Sequence, residues 1–433
     1  MFYFNIAVKS IIERKRQYKS LFAVCAVGVC LMLCAIMVTD GMISSMNEKA
    51  RQYYGGDVLF LGGHSITKPL TDALEEAQML KESVGDRKDV KVFLRYNHDP
   101  EEHGESYYFE GTTVRQRAII GVDFENEKDL FDKFTFVEGT YHKGEYEDTV
   151  LISEPIAKKL GCHVGDSITY FAVTYNNYAN TIDLVVTGIF LDASVFGMYT
   201  SYVNYDSLIK AIDYDPLVDR ISLYYVNGKP SGKDIEKVHS EMSKKIQMYP
   251  LDMEKKDFYK DFRSSDTTKV RKGYLVSLDS TVSDLKLLVQ ALRLIVAAIV
   301  LLLVIIISVG ISSTYRVIVI KRSLESGTLR AIGMMSSGIM KLFISEAFVL
   351  LLSGCFTGFV FSLIITKIGS VFDLSFISGF DLFLTGGHLD PHIDIVKIAA
   401  FISVIIVTTL LSVLFTLRKL VRVSPVGAIT ATT

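Results

Sequence analysis

Four long apolar stretches, with a single charge among them, restrict what this chain can fold into. They cover residues 21–38, 294–311, 347–365 and 395–417, and the last carries one charge, Lys397, near its start. A helix needs roughly 20 apolar residues to cross a hydrocarbon core about 30 Å thick. A charge at mid-membrane costs about 2.5–3.5 kcal/mol, so such runs are unusual in soluble proteins. The sequence therefore predicts an α-helical membrane protein with four transmembrane helices.

Basic residues flank these stretches and predict their orientation. Lys and Arg precede the first stretch, separate the second from the third and follow the fourth, whereas the loop between the third and fourth is acidic. Cytoplasmic loops retain Lys and Arg, so we expect both termini in the cytoplasm and the long segment after the first stretch outside. The alternative for the first stretch is a cleaved signal peptide, but its apolar run is longer than usual and no small-x-small site follows it.

This topology divides the chain into successive segments. We expect an amphipathic N-terminal segment at 1–20, the first transmembrane helix at 21–41 and an extracytoplasmic domain at 42–280. A stalk with the second transmembrane helix follows at 281–312, and a cytoplasmic loop at 313–341. The third and fourth transmembrane helices are expected at 342–366 and 395–417, with an outer loop at 367–394 between them and a cytoplasmic tail at 418–433. From Ser280 the helical pattern continues into the second span without Gly or Pro, which predicts an unbroken stalk.

The extracytoplasmic domain has the pattern of a large α+β fold. Strand and helix periodicities alternate near its start and again near its end, which predicts two β-α units that pair into one sheet. Ser231 and Asp234 form a capping-box pattern at the second helix. Between the units, at about 110–215, the pattern predicts a nested β-rich subdomain, in which Ser153 caps a short helix that Gly161 ends.

The sequence lacks the usual signals of an enzyme. It has no Gly-x-Ser-x-Gly elbow, no His-Glu-x-x-His and no Walker motif, so we expect no catalytic residue, no cofactor site and no bound ATP in this chain. Two groups that combine His with carboxylates, at 98–103 and 388–394, contain Pro and lack helical ligand spacing, so we interpret them as solvated loops and predict no metal site. The net charge of −2 does not favour nucleic acid.

Three residues in the third span are candidates for helix packing or polar function. Gly354 and Gly358 form a GxxxG pattern, which allows a neighbouring helix to approach closely. Glu346 is an ionisable group within the span, so a proton relay is one interpretation. Because it lies about one turn beyond Lys341, near the inner interface, we favour an ion pair or a polar contact between helices.

The cytoplasmic loop carries the most informative motif. Charged Glu325 and Arg330 stand beside apolar Leu329 and Ile332, which predicts a short amphipathic helix, although a basic loop that only sets topology is an equal alternative. The run from Glu325 through Gly327, Thr328, Leu329, Arg330 and Ile332 to Gly333, together with 341–346, the GxxxG pattern and the ending Pro425-x-x-Ala428, resembles the MacB/FtsX-type permeases, the type VII ABC transporters. Residues 151–166 resemble their periplasmic core domain.

The resemblance implies a coupling helix at about 323–333 that docks on a separate cytoplasmic ABC ATPase, which binds Mg-ATP. It also implies an inner-membrane location, contact with membrane lipid, a second permease copy or a paralogue, and mechanotransmission to the outer domain. Two departures are the absence of a fused ATPase and Ser326, which replaces the usual apolar residue.

Within the family the chain looks most like the lipoprotein-releasing Lol permeases, which implies lipoprotein cargo and a periplasmic acceptor. The alternatives are efflux of peptides, toxins or small amphipathic substrates, and FtsX-like regulation of a cell-wall hydrolase. A membrane-anchored enzyme or receptor is a third class, which the missing motifs disfavour.

Overall fold

The computed structural model describes residues 2–141, 147–264, 272–377 and 379–420. The tail pattern Pro425-x-x-Ala428 lies outside them. The helices are α1 (Phe2–Glu13), α2 (Lys15–Tyr54), α3 (Leu70–Val84), α4 (Lys128–Phe131), α5 (Glu154–Leu160), α6 (Tyr205–Ile212), α7 (Gly232–Met242), α8 (Lys255–Ser264), α9 (Leu278–Thr281), α10 (Ser283–Lys321), α11 (Ser323–Ala331), α12 (Ser336–Gly369) and α13 (Ile395–Leu420).

The strands are β1 (Val58–Gly62), β2 (Lys68–Pro69), β3 (Val90–His98), β4 (Ser106–Phe109), β5 (Thr112–Arg115), β6 (Ala118–Val122), β7 (Phe136–Gly139), β8 (Thr149–Ser153), β9 (Ser167–Val173), β10 (Ala179–Phe190), β11 (Thr200–Asn204), β12 (Leu217–Val218), β13 (Arg220–Tyr225), β14 (Gln247–Met248) and β15 (Lys272–Ser277).

The described residues form two compact units. The helical unit comprises 2–42, 288–372 and 389–420, and the sheet unit comprises 43–287 and 373–388. Among the described residues, four helices are long and apolar enough to cross a membrane: α2, α10, α12 and α13. The four predicted membrane helices are therefore confirmed.

One apolar cluster holds the helical unit together. Each of the four long helices contributes to it, for example with Leu33, Ile311, Leu351 and Ile405, which are almost completely buried. The opposite faces of these helices carry exposed Leu, Ile, Val and Phe side chains. Such faces are stable in lipid, where apolar side chains need no protein partner.

The sheet unit confirms the two β-α units and shows how they pair. Both β1 and β3 lie antiparallel beside β13, so the second unit inserts a strand between the two strands of the first. Helices α3 and α7 cover this part of the sheet with Leu80, Val238 and Met242. The nested strands continue the same sheet through β6, which pairs with β3.

The helix-capping signals that the sequence shows in the sheet unit are partly confirmed. Ser231 and Asp234 form the predicted capping box at the start of α7. Gly161 ends α5 in the left-handed conformation, with φ of 76°, but Ser153 makes no side-chain cap bond, so that part of the prediction is wrong. Its hydroxyl is buried at the end of β8. Because the strand fixes this residue inside the sheet, its oxygen does not reach the first turn.

The predicted unbroken helix before the second span is also wrong. Ser277 caps a separate short helix, α9, and the chain turns at Val282, with φ of −91° and ψ of 33°, before α10 begins. No Gly or Pro marks this turn. The Ser277 side chain accepts a hydrogen bond from the Ser280 N–H and caps the start of α9.

The end of α2 is clamped by arginine side chains inside the sheet unit. Arg95 donates from Nη1 to the carbonyl oxygens of Gln52 (2.7 Å) and Tyr53 (3.2 Å), and Arg220 donates to Tyr53 (3.2 Å). Arg95 is fully buried and pairs through Nε with Glu127 at 2.8 Å. These bonds satisfy carbonyl groups that a helix C-terminus leaves free. The last turn of α2 is therefore fixed to the domain core.

Candidate functional site

The candidate site is the segment from α11 to the start of α12, in the helical unit. Helix α11 begins one residue after Arg322 and ends at Ala331, and Gly333 follows with φ of 97°. The Met334 N–H bonds to the Leu329 carbonyl and the Gly333 N–H to the Arg330 carbonyl, both at 3.0 Å. This pair of bonds is a Schellman motif, and its left-handed residue favours Gly. Gly333 therefore ends the helix.

The two faces of α11 have different surroundings. Leu329 packs against the buried apolar cluster of the helical unit, as does Met334 just beyond the helix. Thr328 is exposed, and so are the apolar side chains of Ile332 (84%) and Met335 (79%). The segment thus presents a small apolar surface to its surroundings, which we call the docking face.

A buried ion pair connects the start of α11 to α12. Arg322 Nη1 lies 2.5 Å from Glu346 Oε2, and the Glu346 side chain is fully buried. The Tyr18 hydroxyl of α2 donates to the same Glu346 oxygen (3.0 Å) and accepts from Arg322 Nη1 (3.1 Å). Arg322, Glu346 and Tyr18, which we call the buried triad, therefore join three elements at one point.

Glu325 extends this contact to the N-terminal segment. Its Oε2 accepts from Arg322 Nε at 2.9 Å and its Oε1 lies 2.5 Å from Arg14 Nη2. Burial raises the pKa of the Glu325 carboxyl, but the hydrogen bonds from Arg14 and Arg322 lower it more, and the net pKa is below its usual range. Glu325 is thus ionised at neutral pH and faces its own protein.

Gly354 and Gly358 lie where α12 meets α2. A Cβ at Gly354 would stand 2.8 Å from Cys25 Sγ, and one at Gly358 would stand 2.6 Å from the Ala26 carbonyl oxygen. Both distances are too short for a side chain, so the two helices approach as closely as small residues allow.

The structure thus separates the residues that the sequence singled out. Leu329 packs inward and Glu346 is fully buried, Thr328 and Ile332 face outward, and Glu325 and Arg330 are half-buried. Gly327 has free space around it.

The partners of Glu325 and Glu346 are not evident from the sequence. Lys341 is the cation near Glu346 along the chain, whereas the ion pair forms with Arg322. The helical spacing of Arg322 and Glu325, three residues apart, was one available signal. No signal in the sequence indicates Tyr18 or Arg14 as partners, because only tertiary packing brings them close to Glu346 and Glu325.

Comparisons with known proteins agree with this architecture. The FtsX-like permease C-terminal family matches residues 296–425, and the MacB-like periplasmic core domain family matches residues 23–245, more than half of the chain. No match to a curated protein is significant.

Among solved structures, the chain is similar to the periplasmic region of MacB from Actinobacillus actinomycetemcomitans. The match has 10% identity and a TM-score of 0.31, and it covers 55% of this chain and 95% of that chain. A likeness this weak carries no argument about the fold. The two family matches, which fall on the sheet-bearing and the helical parts, show that the chain belongs to the MacB/FtsX-type ABC transporter permeases.

Proposed function

We propose that this permease works with a separate cytoplasmic ABC ATPase, which docks on α11 and the turn that follows it. The observation that carries the proposal is the docking face: Thr328 of α11 and Ile332 and Met335 just beyond it are exposed, whereas the other side of the helix is held by Leu329 and the buried triad. Exposed apolar side chains on a rigid support are typical of a protein interface. Mg-ATP binds to the ATPase and not to this chain.

The buried triad connects the docking helix α11 directly to the membrane helices α2 and α12. A displacement of α11 moves Arg322, which contacts Glu346 of α12 and Tyr18 of α2. Because these groups are packed and charge-paired, they move together rather than slide. ATP-driven motion of the partner would thus reach two membrane helices without a pore between the spans.

The basic flanks support an inner-membrane location with both termini in the cytoplasm. The sheet unit then lies on the periplasmic side. By family analogy two permease copies, or this chain and a paralogue, form the membrane part with surrounding lipid.

The proposed cargo class is lipoproteins, which would be released from the inner membrane to a periplasmic acceptor. This choice rests on the sequence resemblance to the Lol permeases. Efflux of an amphipathic substrate and regulation of a cell-wall hydrolase use the same docking step. Retained lipoprotein, retained small substrate or a bound hydrolase would distinguish the three.

The test is purification of the tagged full chain from its native cell in mild detergent, followed by mass spectrometry. Ile332→Asp places a charge on the docking face at an exposed position, so the fold is expected to survive. The matched control is Ile12→Asp, the same exchange at a 66%-exposed position of α1. We expect an ABC ATPase with the native chain and the control, and its loss from Ile332→Asp.

Two results would contradict the proposal. If the ATPase remains bound to Ile332→Asp as strongly as to the control, docking does not use α11. If no ATPase accompanies any variant of the folded chain, the transporter function itself is wrong.

A further inference from the structure

A half-open cavity of about 370 Å³ lies in the sheet unit, apart from the candidate site. Its walls come from segments far apart in the sequence: the end of β3 with the turn that follows it, the β9–β10 hairpin, the residues after α6, and β12 with Asp219. The volume falls within the roughly 300–1,000 Å³ of small-ligand sites.

Hydrogen bonds hold these walls in place. Buried Glu105 accepts from the backbone N–H of Val173 at 3.0 Å and contacts His98 Nε2 at 2.9 Å, which joins the hairpin to the turn. The Tyr175 N–H donates to the Ile212 carbonyl at 3.0 Å and fixes the hairpin tip to the end of α6. The cavity is therefore preformed, and a ligand would not have to order its walls.

The charged side chains of the walls are mainly acidic. Asp99, Glu102 and Asp219 line the cavity with two histidines, His98 and His103, and no Lys or Arg is among its lining residues within the described part of the chain. Lys68, just outside, pairs with Glu76, and the Arg220 guanidinium lies over the Tyr53 and Tyr54 rings with Nε 3.6 Å from Asp219.

Asp219 itself is incompletely neutralised. Burial raises its pKa, and the nearby Arg220 and the Asn97 N–H lower it by less, so that the net pKa is raised. Asn97 also lines the cavity, and its side-chain oxygen is shielded from solvent and accepts no hydrogen bond within the described residues. An N–H donor with positive charge would compensate both groups.

Aromatic rings complete the wall. Tyr96, Tyr175 and Tyr214 line the cavity, and the Tyr175 and Tyr214 rings contact each other at a tilt of 33°, with centroids 3.8 Å apart. Aromatic faces attract organic cations, and carboxylates add a salt-bridge partner. An inorganic divalent ion would gain little from the rings.

From this combination we propose that the cavity binds an organic ammonium group, presented either by a Lys side chain of a peptide or by a free amine. The inference is independent of the ATPase partner. It adds a ligand class to the periplasmic domain, whatever the cargo is.

The test is calorimetric titration of the purified full chain in detergent. The probes are tri-lysine, tri-glutamate of equal length, and n-butylammonium. We expect tri-lysine to bind and tri-glutamate not to bind. Binding of n-butylammonium within tenfold of tri-lysine assigns a free amine as a sufficient ligand, whereas binding of tri-lysine alone assigns a peptide.

Variants locate the site. Asp219→Asn should weaken tri-lysine binding roughly tenfold, and exposed Glu102→Gln is a second variant that leaves the buried walls intact. The matched control is Glu125→Gln, in a different acidic cavity of the same unit. Equal binding of tri-glutamate, or unchanged tri-lysine affinity in both Asp219→Asn and Glu102→Gln, would overturn the proposal.

Discussion

Replacing Glu346 by Gln should destabilise the helical unit strongly. The exchange keeps the shape of the side chain but removes the negative charge that Arg322 Nη1 contacts at 2.5 Å. Gln also cannot accept bonds from Tyr18 and Arg322 as strongly as a carboxylate does. Removing one partner of a buried ion pair costs about 3–5 kcal/mol, because the other charge remains buried. At about 2–4 °C per kcal/mol, Tm should fall by about 6–20 °C.

The cysteines of the chain provide the assay. Cys25, Cys30 and Cys355 are buried in the helical unit, and Cys162 is buried in the sheet unit. Cys34, also in the helical unit, is only partly buried. In a Cys34→Ala and Cys162→Ala background, a thiol-reactive fluorophore therefore reports unfolding of the helical unit alone. The chain has no Trp, so this readout is more specific than intrinsic fluorescence.

A double variant separates charge pairing from general damage. Arg322→Met removes the other charge, and Glu346→Gln with Arg322→Met leaves no unpaired ion in the bundle. The double variant should be more stable than Glu346→Gln alone. A Tm of Glu346→Gln within about 2 °C of the wild type, or a double variant that loses the sum of both single losses, would refute the reasoning.

Three further predictions concern single positions. Gly358→Ala should lower the Tm of the helical unit, because its Cβ would lie 2.6 Å from a backbone oxygen of α2; the thiol-reactivity assay measures this. Gly333→Ala should destabilise α11, because alanine is strained at the φ of 97° that this position adopts. Gly327→Ala should stabilise α11 by about 0.5–1 kcal/mol, because the space around Gly327 is open. The two variants are compared by the temperature up to which each retains the bound ATPase. Burial raises the pKa of Glu105, but His98 and other donors lower it more, so the net pKa is depressed. Its stabilisation is present above about pH 4.3 and is lost as the pH falls through the folded pKa, so Tm differences between wild type and Glu105→Gln should shrink in acid.

Features that depend on short-range chemistry could be predicted from the sequence. The four spans follow from the cost of charge in lipid, and the capping box at Ser231 follows from spacing alone. The interleaving of β13 between β1 and β3 was only partly foreseen, because pairing between distant strands is not encoded in local pattern.

The polar interior of the candidate site could not be predicted. Tyr18 and Glu346 are separated by 328 positions in the sequence, and only the packing of α2 on α12 brings them together. The break at Val282 was missed for a different reason. The local sequence has no Gly or Pro there, so the helical pattern continues through the turn.

The arginine clamp on α2 has a consequence for how force travels. Helix α2 has 40 residues and no proline, and it is therefore about 60 Å long, twice the thickness of the hydrocarbon core. A tilt of about 5° at one end of such a lever displaces the other end by about 5 Å. Arg95 and Arg220 bind its final carbonyl groups, so a displacement of this end would be shared with strands β3 and β13 and not lost in a fraying terminus. A small angular change of such a helix would then correspond to a movement of side-chain size.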